Sequence, residues 1–191
     1  PWWRQRACFH QGLPSVKLSK ATLGGNMLAV SSGAFVFLLK LSFQQIVLKV
    51  EQELPQQISA LDFGRLSGNS YLFVGEWLSN SIKILECEDL RVISELSLQN
   101  LQPRSSCILD SATSDPHLVV GTSIGSVVSV ALCVDETGMP CLNGILSSVQ
   151  IGRADVKLLR TNDGPFSFSS TKKANSLYRC CSGFLRSRSY H

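Results

Sequence analysis

Hydrophobic segments recur along the chain at a nearly constant spacing. The segments Leu28–Val30, Leu72–Val74 and Leu118–Val120 are 44 and 46 residues apart. Each is followed by a Gly or Ser turn and a second apolar segment, and those second segments begin near Phe35, Ile82 and Val127. Self-similarity at one fixed period is typical of repeat architectures.

Flanking segments complete a unit of four β-rich runs. Upstream runs lie at 16–21, 58–63, 106–111 and 156–161, and downstream runs at 46–50, 92–96 and 144–148. Clusters of Gly, Pro, Asn, Asp and Ser separate the runs and supply turn chemistry. Four short strands recurring about every 45 residues are the pattern of propeller blades. We therefore predict an all-β, WD-repeat-like partial β-propeller, with about three four-stranded blades plus the first strand of a fourth.

The four runs of a unit differ in polarity. The second run is the most continuously apolar, which favours an inner strand packed between neighbouring blades. The third run, as in Ser81–Glu86, tends to alternate, which predicts one buried and one wetter face. No capped segment of helical period lies between strands, which argues against βαβ units. A single β-sandwich remains possible, although it would not require a four-run period.

The repeat also predicts the organisation of the chain. We expect an irregular segment at 1–15, blades at about 16–50, 58–97 and 106–151, and the start of a further blade at 156. Residues 162–191 are rich in Ser, Arg and Cys and are predicted to form a basic, disordered tail. Three blades do not close a ring, since propellers have typically four to eight. The sequence therefore predicts an incomplete ring, and its start at Pro1 fits a piece of a longer protein.

Composition restricts the class of protein. With 44% hydrophobic and 17% charged residues, the chain has the composition of a folded globular protein. The longest apolar stretch, Ala34–Leu39, is too short to span a bilayer, so no membrane partner is expected. Seven cysteines occur without a Cys-x-x-Cys spacing. We expect Cys87, Cys107 and Cys133, in or next to strand-like runs, to be reduced thiols in a reducing compartment.

Charge is concentrated at the end of the chain. From Thr161 onward five basic residues accompany one acid, which accounts for the whole net charge of +4. The body is therefore about neutral and shows no electrostatic signature of a nucleic-acid-binding surface. The possible contacts with phosphates or an import receptor lie in this tail, at Lys172, Lys173, Arg186 and Arg188. The alternative is an unfolded tail whose charge only keeps it soluble.

Other polar residues suggest no chemistry. His117 precedes a strand-like run and is expected to be a turn residue. Asp62 and Asp110 recur 48 residues apart at the ends of first strands, where hydrogen bonding to nearby backbone is the simpler interpretation. Gly121–Gly125 lacks a following Lys, so it indicates a hairpin and not a phosphate-binding loop. Cys180–Cys181 with His191 matches no metal-site spacing. We predict no catalytic residue, cofactor, metal or small-molecule substrate.

A family resemblance adds a function to this fold. Six segments of the chain resemble the DNA damage-binding protein 1 family. Three lie in the middle unit, at Ile58–Asp62, Leu72–Trp77 and Ser81–Leu85, and three follow it, at Asp135–Gly138, Ile151–Arg153 and Val156–Thr161. That family includes splicing factor 3b subunit 3 and the large (A) subunit of the cleavage and polyadenylation specificity factor. The resemblance covers roughly residues 16–161 and corresponds to the second of the family's three propellers. Trp77, following the second strand, favours the DNA damage-binding branch.

The resemblance implies a non-enzymatic scaffold in the nucleus. In the DNA damage-binding branch the second propeller docks the cullin-4 ubiquitin ligase arm, so protein partners from that ligase and a role in DNA repair are expected. The alternative is a subunit of a pre-mRNA splicing or 3′-end processing factor, with splicing or polyadenylation subunits as partners and nucleic acid bound through the complex. The family's cullin contacts form no motif that can be matched to residues of this chain.

Overall fold

The computed structural model describes residues 20–42, 45–66, 68–111, 114–159, 166–170, 176–181 and 184–189. These residues form antiparallel strands joined by short turns. Within these ranges no helix is long and apolar enough to cross a bilayer.

The described residues form four sheets of four strands each. Sheet 1 comprises β1 (Lys20–Gly24), β2 (Met27–Ser32), β3 (Phe35–Leu41) and β4 (Ile46–Glu53). Sheet 2 comprises β5 (Ile58–Leu66), β6 (Asn69–Glu76), β7 (Ser81–Glu86) and β8 (Val92–Ser97). Sheet 3 comprises β9 (Pro103–Ser111), β10 (Ser114–Thr122), β11 (Ser126–Val134) and β12 (Pro140–Gln150). Sheet 4 comprises β13 (Val156–Leu159), β14 (Phe166–Ser170), β15 (Ser176–Cys181) and β16 (Phe184–Ser189).

Each sheet is an antiparallel meander, and the sheets follow one another as the blades of a propeller do. The first strands contact each other from sheet to sheet, β1 with β5, β5 with β9 and β9 with β13. The first strand of each unit is therefore the innermost, and the second strand packs between neighbouring sheets, as its continuous apolar run predicted. The second strand is the most apolar because it lies within the sheet and is covered on both faces.

Apolar side chains on both faces of each sheet hold neighbouring sheets together. On β6, Leu72 and Val74 pack against sheet 1, while Phe73 packs against sheet 3. All three side chains are almost fully buried. A buried side chain of this size contributes about 2 kcal/mol relative to exposure. Because successive side chains of β6 point to opposite faces, this strand packs against both sheet 1 and sheet 3.

β7 departs from the predicted one-sided burial. Ile82 and Ile84 face sheet 3, but Ser81 and Lys83 on the opposite face are also buried. The expected wetter face is covered because it is turned towards sheet 1. Lys83 is accommodated there by an ion pair that is described below.

A left-handed residue recurs in the turn between the second and third strands. Gly33, Asn80 and Gly125 have φ values of 60°, 49° and 87°. Carbonyl groups at these turns accept hydrogen bonds from the chain after the fourth strand: Leu98 N donates to Asn80 O at 2.8 Å, and Ile151 N donates to Gly125 O at 2.9 Å. Gly and Asn suit these positions because other residues pay a steric penalty at positive φ.

The pairing of the third and fourth strands is irregular in the first three sheets. The register shifts between Leu38 and Leu39 in sheet 1, between Ile84 and Leu85 in sheet 2, and on both sides of Val130 in sheet 3. Such bulges bend a strand and increase its twist. The outer rim of the propeller is therefore bent in each of these blades.

After β13 the structure differs from the sequence prediction. The tail supplies three further strands, with Leu158 opposite Phe168 and Phe168 opposite Tyr178. The β signal was obscured by Ser and Arg, although Phe166–Ser169 alternates apolar and polar residues with period two. The remaining tail positions, and the predicted irregular segment at 1–15, lie outside the described residues.

Cys133 also differs from expectation. It lies on β11 directly opposite Cys141 on β12, with 5.1 Å between their Cα atoms, and the two form a disulfide. The predicted free thiols are found at Cys87 and Cys107. The repeat pattern could not indicate this pair, because Cys141 precedes the fourth-strand segment that the sequence identified.

Close approach of β5 to β9 gives the first prediction. A Cβ added at Gly64 would meet Ile108, and would lie 2.8 Å from Phe73 Cε2. Gly64→Ala should therefore lower the free energy of unfolding by about 1–3 kcal/mol, the usual cost of overpacking. Urea denaturation followed by far-UV circular dichroism measures the change. The matched control is Ser70→Ala on the exposed start of β6, expected within about 0.5 kcal/mol of the wild type. Equal midpoints for the two variants would contradict the tight contact.

Candidate functional site

The loop between β6 and β7 carries the most exposed large apolar side chain among the described residues. It consists of Trp77–Asn80 and connects the two central strands of sheet 2. Trp77 N donates to Gln57 O at 2.9 Å, which ties the loop to the segment entering the same sheet. At its tip Leu78 is 78% exposed, whereas Trp77 is half-buried. The loop thus presents an apolar side chain from an anchored base.

A buried ion pair joins the two strands that this loop connects. Lys83 Nζ lies 3.0 Å from Glu76 Oε1, and the two side chains are only 6% and 1% exposed. Glu95, on the neighbouring strand β8, places a second carboxylate oxygen 3.6 Å from the same ammonium group and is half-exposed. Burying charges is costly unless they are paired, so this arrangement fixes Glu76 and Lys83 in one geometry.

The other oxygen of Glu76 holds the loop itself. Ser79 Oγ donates to Glu76 Oε2 at 2.7 Å, and Ser81 Oγ donates to the same oxygen at 3.2 Å. The carboxylate therefore satisfies three donors, from the loop, from the start of β7 and from Lys83. Hydrogen bonds to an ionised group are stronger than neutral ones. This buried carboxylate is the side chain that joins the loop to β7.

A series of polar contacts connects Trp77 to sheets 3 and 4. The guanidinium carbon of Arg104, on β9, lies 3.5 Å from the centre of the Trp77 ring. Arg104 Nε lies 3.5 Å from Asp155 Oδ2, in the segment that leads into β13. Gln102 Nε2 donates to Trp77 O at 2.8 Å. The stacked cation and the amide fix the orientation of the indole relative to sheets 3 and 4.

Beside the loop is a groove of about 440 Å³, which we call the Trp77 groove. Its walls come from the second turn of sheet 1, the connection between sheets 1 and 2, and the loop itself. The lining residues are Ala34, Pro55, Gln56, Gln57, Trp77 and Leu78. An aromatic ring, a proline ring and an exposed leucine give apolar contact, and two amide side chains supply donors and acceptors. The groove therefore offers both apolar contact and hydrogen-bonding groups.

The turn between β11 and β12 lies at the opposite end of the sheets. Asp135 Oδ1 accepts hydrogen bonds from Thr137 N at 2.8 Å, Thr137 Oγ1 at 2.6 Å and Met139 N at 2.9 Å. The hydrogen bond from the Thr137 hydroxyl, with those from the backbone, holds the pKa of Asp135 below its ordinary value of 3.8. This turn is one of the segments that carry the family resemblance, and its role in the structure is local.

The basic positions predicted as phosphate or import-receptor contacts are only partly placed. Arg186 and Arg188 lie on β16, where Arg186 is opposite Arg179 of β15. Lys172 and Lys173 lie outside the described residues. Contacts of these four residues with phosphates or a receptor stay a prediction.

Other sequence candidates occupy structural positions. His117 lies within β10, opposite Leu109 and Ala131, and not in a turn. Asp62 accepts a hydrogen bond from Phe63 N at 2.9 Å, which is the local backbone contact that was expected. Thr122 and Ser126 bond across the Gly121–Gly125 turn, which is a hairpin as predicted. Among the described residues, no three His, Cys, Asp or Glu side chains are arranged to hold a metal ion.

The sequence indicated only part of this site. Trp77 marks the family resemblance in the sequence and Glu76 belongs to the same segment, whereas no sequence pattern marks Leu78 or Arg104. One signal was present: a lysine at position 83 inside an apolar run needs a buried partner, and Glu76 precedes it by seven residues. The partner sheet that covers Lys83 could not be inferred from that spacing.

The buried pair gives the second prediction. Glu76→Gln removes the charge that compensates Lys83, and should lower the free energy of unfolding by about 3–5 kcal/mol. Glu95→Gln removes the half-exposed carboxylate of the same cluster, and should cost no more than about 1 kcal/mol. Chemical denaturation of the two variants in parallel measures the difference. A larger loss for Glu95→Gln than for Glu76→Gln would show that the buried carboxylate does not hold Lys83.

The Asp135 turn gives the third prediction. Because its pKa is lowered in the folded state, Asp135 contributes stability above its unfolded pKa of about 4, and that contribution is lost as the pH falls through the folded value. Asp135→Asn should therefore flatten the pH dependence of the unfolding midpoint below about pH 4. Thermal melts at several acidic pH values test this, with Glu136→Gln as the exposed neighbouring control. Parallel pH curves for Asp135→Asn and wild type would refute the role of the carboxylate.

Comparisons with known proteins agree with this architecture. No family model and no curated protein matches the chain. The fold is similar to that of a solved structure of BBS1N in complex with ARL6DN, soaked with mercury, with a TM-score of 0.62 and 16% sequence identity. The match covers 85% of this chain and 49% of the solved chain, so the chain spans about half the length of the structure it matches. At this identity the similarity shows the fold alone, and the chain is an all-β part of a β-propeller.

Proposed function

We propose that the chain is a non-enzymatic scaffold that binds a protein partner in the Trp77 groove. The observation that carries this proposal is Leu78, which is 78% exposed on a loop held by a buried carboxylate. A large apolar side chain on an anchored turn loses little conformational freedom when a partner covers it. Contiguous exposed apolar surface is characteristic of interaction sites, and Leu78 continues the apolar lining that Trp77 and Pro55 begin.

The composition of the groove favours a protein over a small molecule. Trp and Arg are enriched at interface hot spots, and here Trp77 is backed by Arg104 on one face. Gln56 and Gln57 offer amide groups that match the backbone of an extended segment. The solved propeller BBS1N is itself in complex with a protein, ARL6DN. We take this as support for a protein partner, without transferring its identity.

For the partner, we propose a component of the cullin-4 ubiquitin ligase, with a role in DNA repair in the nucleus. Its support is the resemblance of Leu72–Trp77 and Ser81–Leu85 to the DNA damage-binding protein 1 family, since these segments flank the Trp77 loop. A nuclear location is further supported by the basic residues of the tail, which an import receptor could recognise.

A second candidate is a role in pre-mRNA splicing or 3′-end processing. The observation that favours it is the pairing of β15 with β16, which places Arg179, Arg186 and Arg188 on two adjacent strands. Basic residues on neighbouring strands would attract phosphates, and such binding weakens with salt.

The fourth prediction separates these candidates. Immobilised cullin-4 is expected to bind the full chain, and Leu78→Asp should weaken binding at least tenfold, because an interface hot spot contributes about 2 kcal/mol. Surface plasmon resonance measures the affinity. The matched control is Leu48→Asp, which changes an exposed leucine on β4, far along the chain from the groove, and should bind as the wild type does.

One outcome would contradict the proposed binding surface, and another would contradict the ligase assignment. Equal loss for both leucine variants would show that the Trp77 groove is not the binding surface. Salt-sensitive retention of single-stranded RNA that is abolished by Arg186→Ala with Arg188→Ala, with no binding of cullin-4, would favour the pre-mRNA role.

A further inference from the structure

The cysteine pair on the β11–β12 hairpin is independent of the proposed binding groove. Cys133 and Cys141 face each other across the hairpin, and their Cα separation of 5.1 Å is within the range that a disulfide spans without backbone movement. Both side chains are half-buried and therefore open to small reagents. We propose that Cys133 and Cys141 form a reversible thiol–disulfide site that exchanges with small disulfides such as glutathione disulfide.

The reduced state has a place in the same geometry. Cys133 Sγ lies 3.5 Å from Cys141 O, so a protonated Cys133 has a hydrogen-bond acceptor across the strands. When the disulfide opens the two sulfur atoms must separate, and a side-chain rotation that keeps this contact leaves the backbone in place. The hairpin thus accommodates both oxidation states with one backbone arrangement.

The turn does not depend on the disulfide for closure. Asp135 N donates to Met139 O at 2.8 Å and Gly138 N donates to Asp135 O at 3.0 Å, in addition to the three hydrogen bonds accepted by the Asp135 carboxylate. Only eight positions separate the two cysteines, so the disulfide constrains the unfolded chain less than a cross-link over a long loop would. The backbone hydrogen bonds of the turn keep the hairpin closed in the reduced state as well.

The surroundings favour exchange at this pair over Cys87 and Cys107. Cys133 lines a groove of about 500 Å³ between sheets 2 and 3, together with Asp115 and Val134, and a small disulfide can approach from that side. Cys107 is buried within sheet 3 and is shielded from reagents. Burial raises the pKa of Cys87 to about 11, so that its thiolate is scarce at neutral pH.

The reaction is an ordinary exchange in two steps. One cysteine thiolate attacks a sulfur of glutathione disulfide, which forms a mixed disulfide and releases one glutathione thiolate. The second cysteine thiolate then attacks the protein-bound sulfur of the mixed disulfide and releases the second glutathione. The two protein thiols lose two protons and two electrons, and glutathione disulfide gains them as two glutathione molecules.

Redox titration of the full chain tests this site. The folded chain is equilibrated in buffers that cover a wide range of reduced to oxidised glutathione, quenched with acid, alkylated and digested with trypsin and an enzyme that cleaves before Asp. Cleavage before Asp115 and Asp135 and after Arg153 separates the two cysteines into different peptides. Mass spectrometry then detects the peptides as a linked pair only when the disulfide is present. The linked fraction should rise and fall reversibly with the glutathione ratio, while the Cys107 peptide stays alkylated.

Variants distinguish exchange from a permanent cross-link. Cys133→Ser should leave Cys141 as a stable mixed disulfide with glutathione, and Cys141→Ser should do the same for Cys133, whereas Cys107→Ser should leave the linked peptides unchanged. Far-UV circular dichroism should be the same before and after reduction, which also reports whether each variant is folded. The proposal is overturned if the pair stays linked in the folded chain under excess dithiothreitol, if it stays reduced at every glutathione ratio, or if reduction unfolds the sheets.

Discussion

Apolar contact between neighbouring sheets is the interaction on which this structure depends. Sheet 2 is covered on both faces, with Leu72 and Val74 packed against sheet 1 and Phe73 and Ile84 packed against sheet 3. Hydrogen bonds within a sheet set its internal register, but they do not determine how one sheet stands against the next. The stacking follows from the need to cover two apolar faces, and among the described residues it places sheets 2 and 3 each between the sheets that precede and follow them in sequence.

The candidate binding site is a product of the same stacking. The Trp77 groove exists because the turn of sheet 1 and the loop of sheet 2 meet at one end of the interface between them. Polar groups at that end are not left to solvent: Glu76 is paired with Lys83, and Arg104 is placed between Trp77 and Asp155. The apolar interior of the interface between sheets 1 and 2 stabilises the fold. The end of this interface forms the Trp77 groove, and the charged groups there are already paired with each other.

Much of this fold could be predicted from the sequence, because a four-strand period is visible in the apolar segments. Leu72–Val74 marked a second strand, and Ser81–Glu86 marked a third, at the positions that the structure shows. The burial of Lys83 was not predictable, since it depends on a neighbouring sheet and not on local alternation. The strands of sheet 4 were missed because serine and arginine weaken the apolar contrast on which strand prediction rests. The Trp77 groove joins residues from 34 to 78, and no local pattern connects positions that far apart.

The irregular pairing of the outermost strands has a consequence for association. Strand addition at a sheet edge requires a guest to match a straight row of amide and carbonyl groups over several residues. Shifts at Leu38, Ile84 and Val130 interrupt the ladders next to those edges, so a regular guest strand would lose register after a short segment. The strand β4 exposes Ile46, Val47 and Leu48. Because β4 is bent, these apolar side chains do not form a straight edge to which strands of further molecules could add to build a fibre. Strand addition at the circumference of these blades is therefore disfavoured.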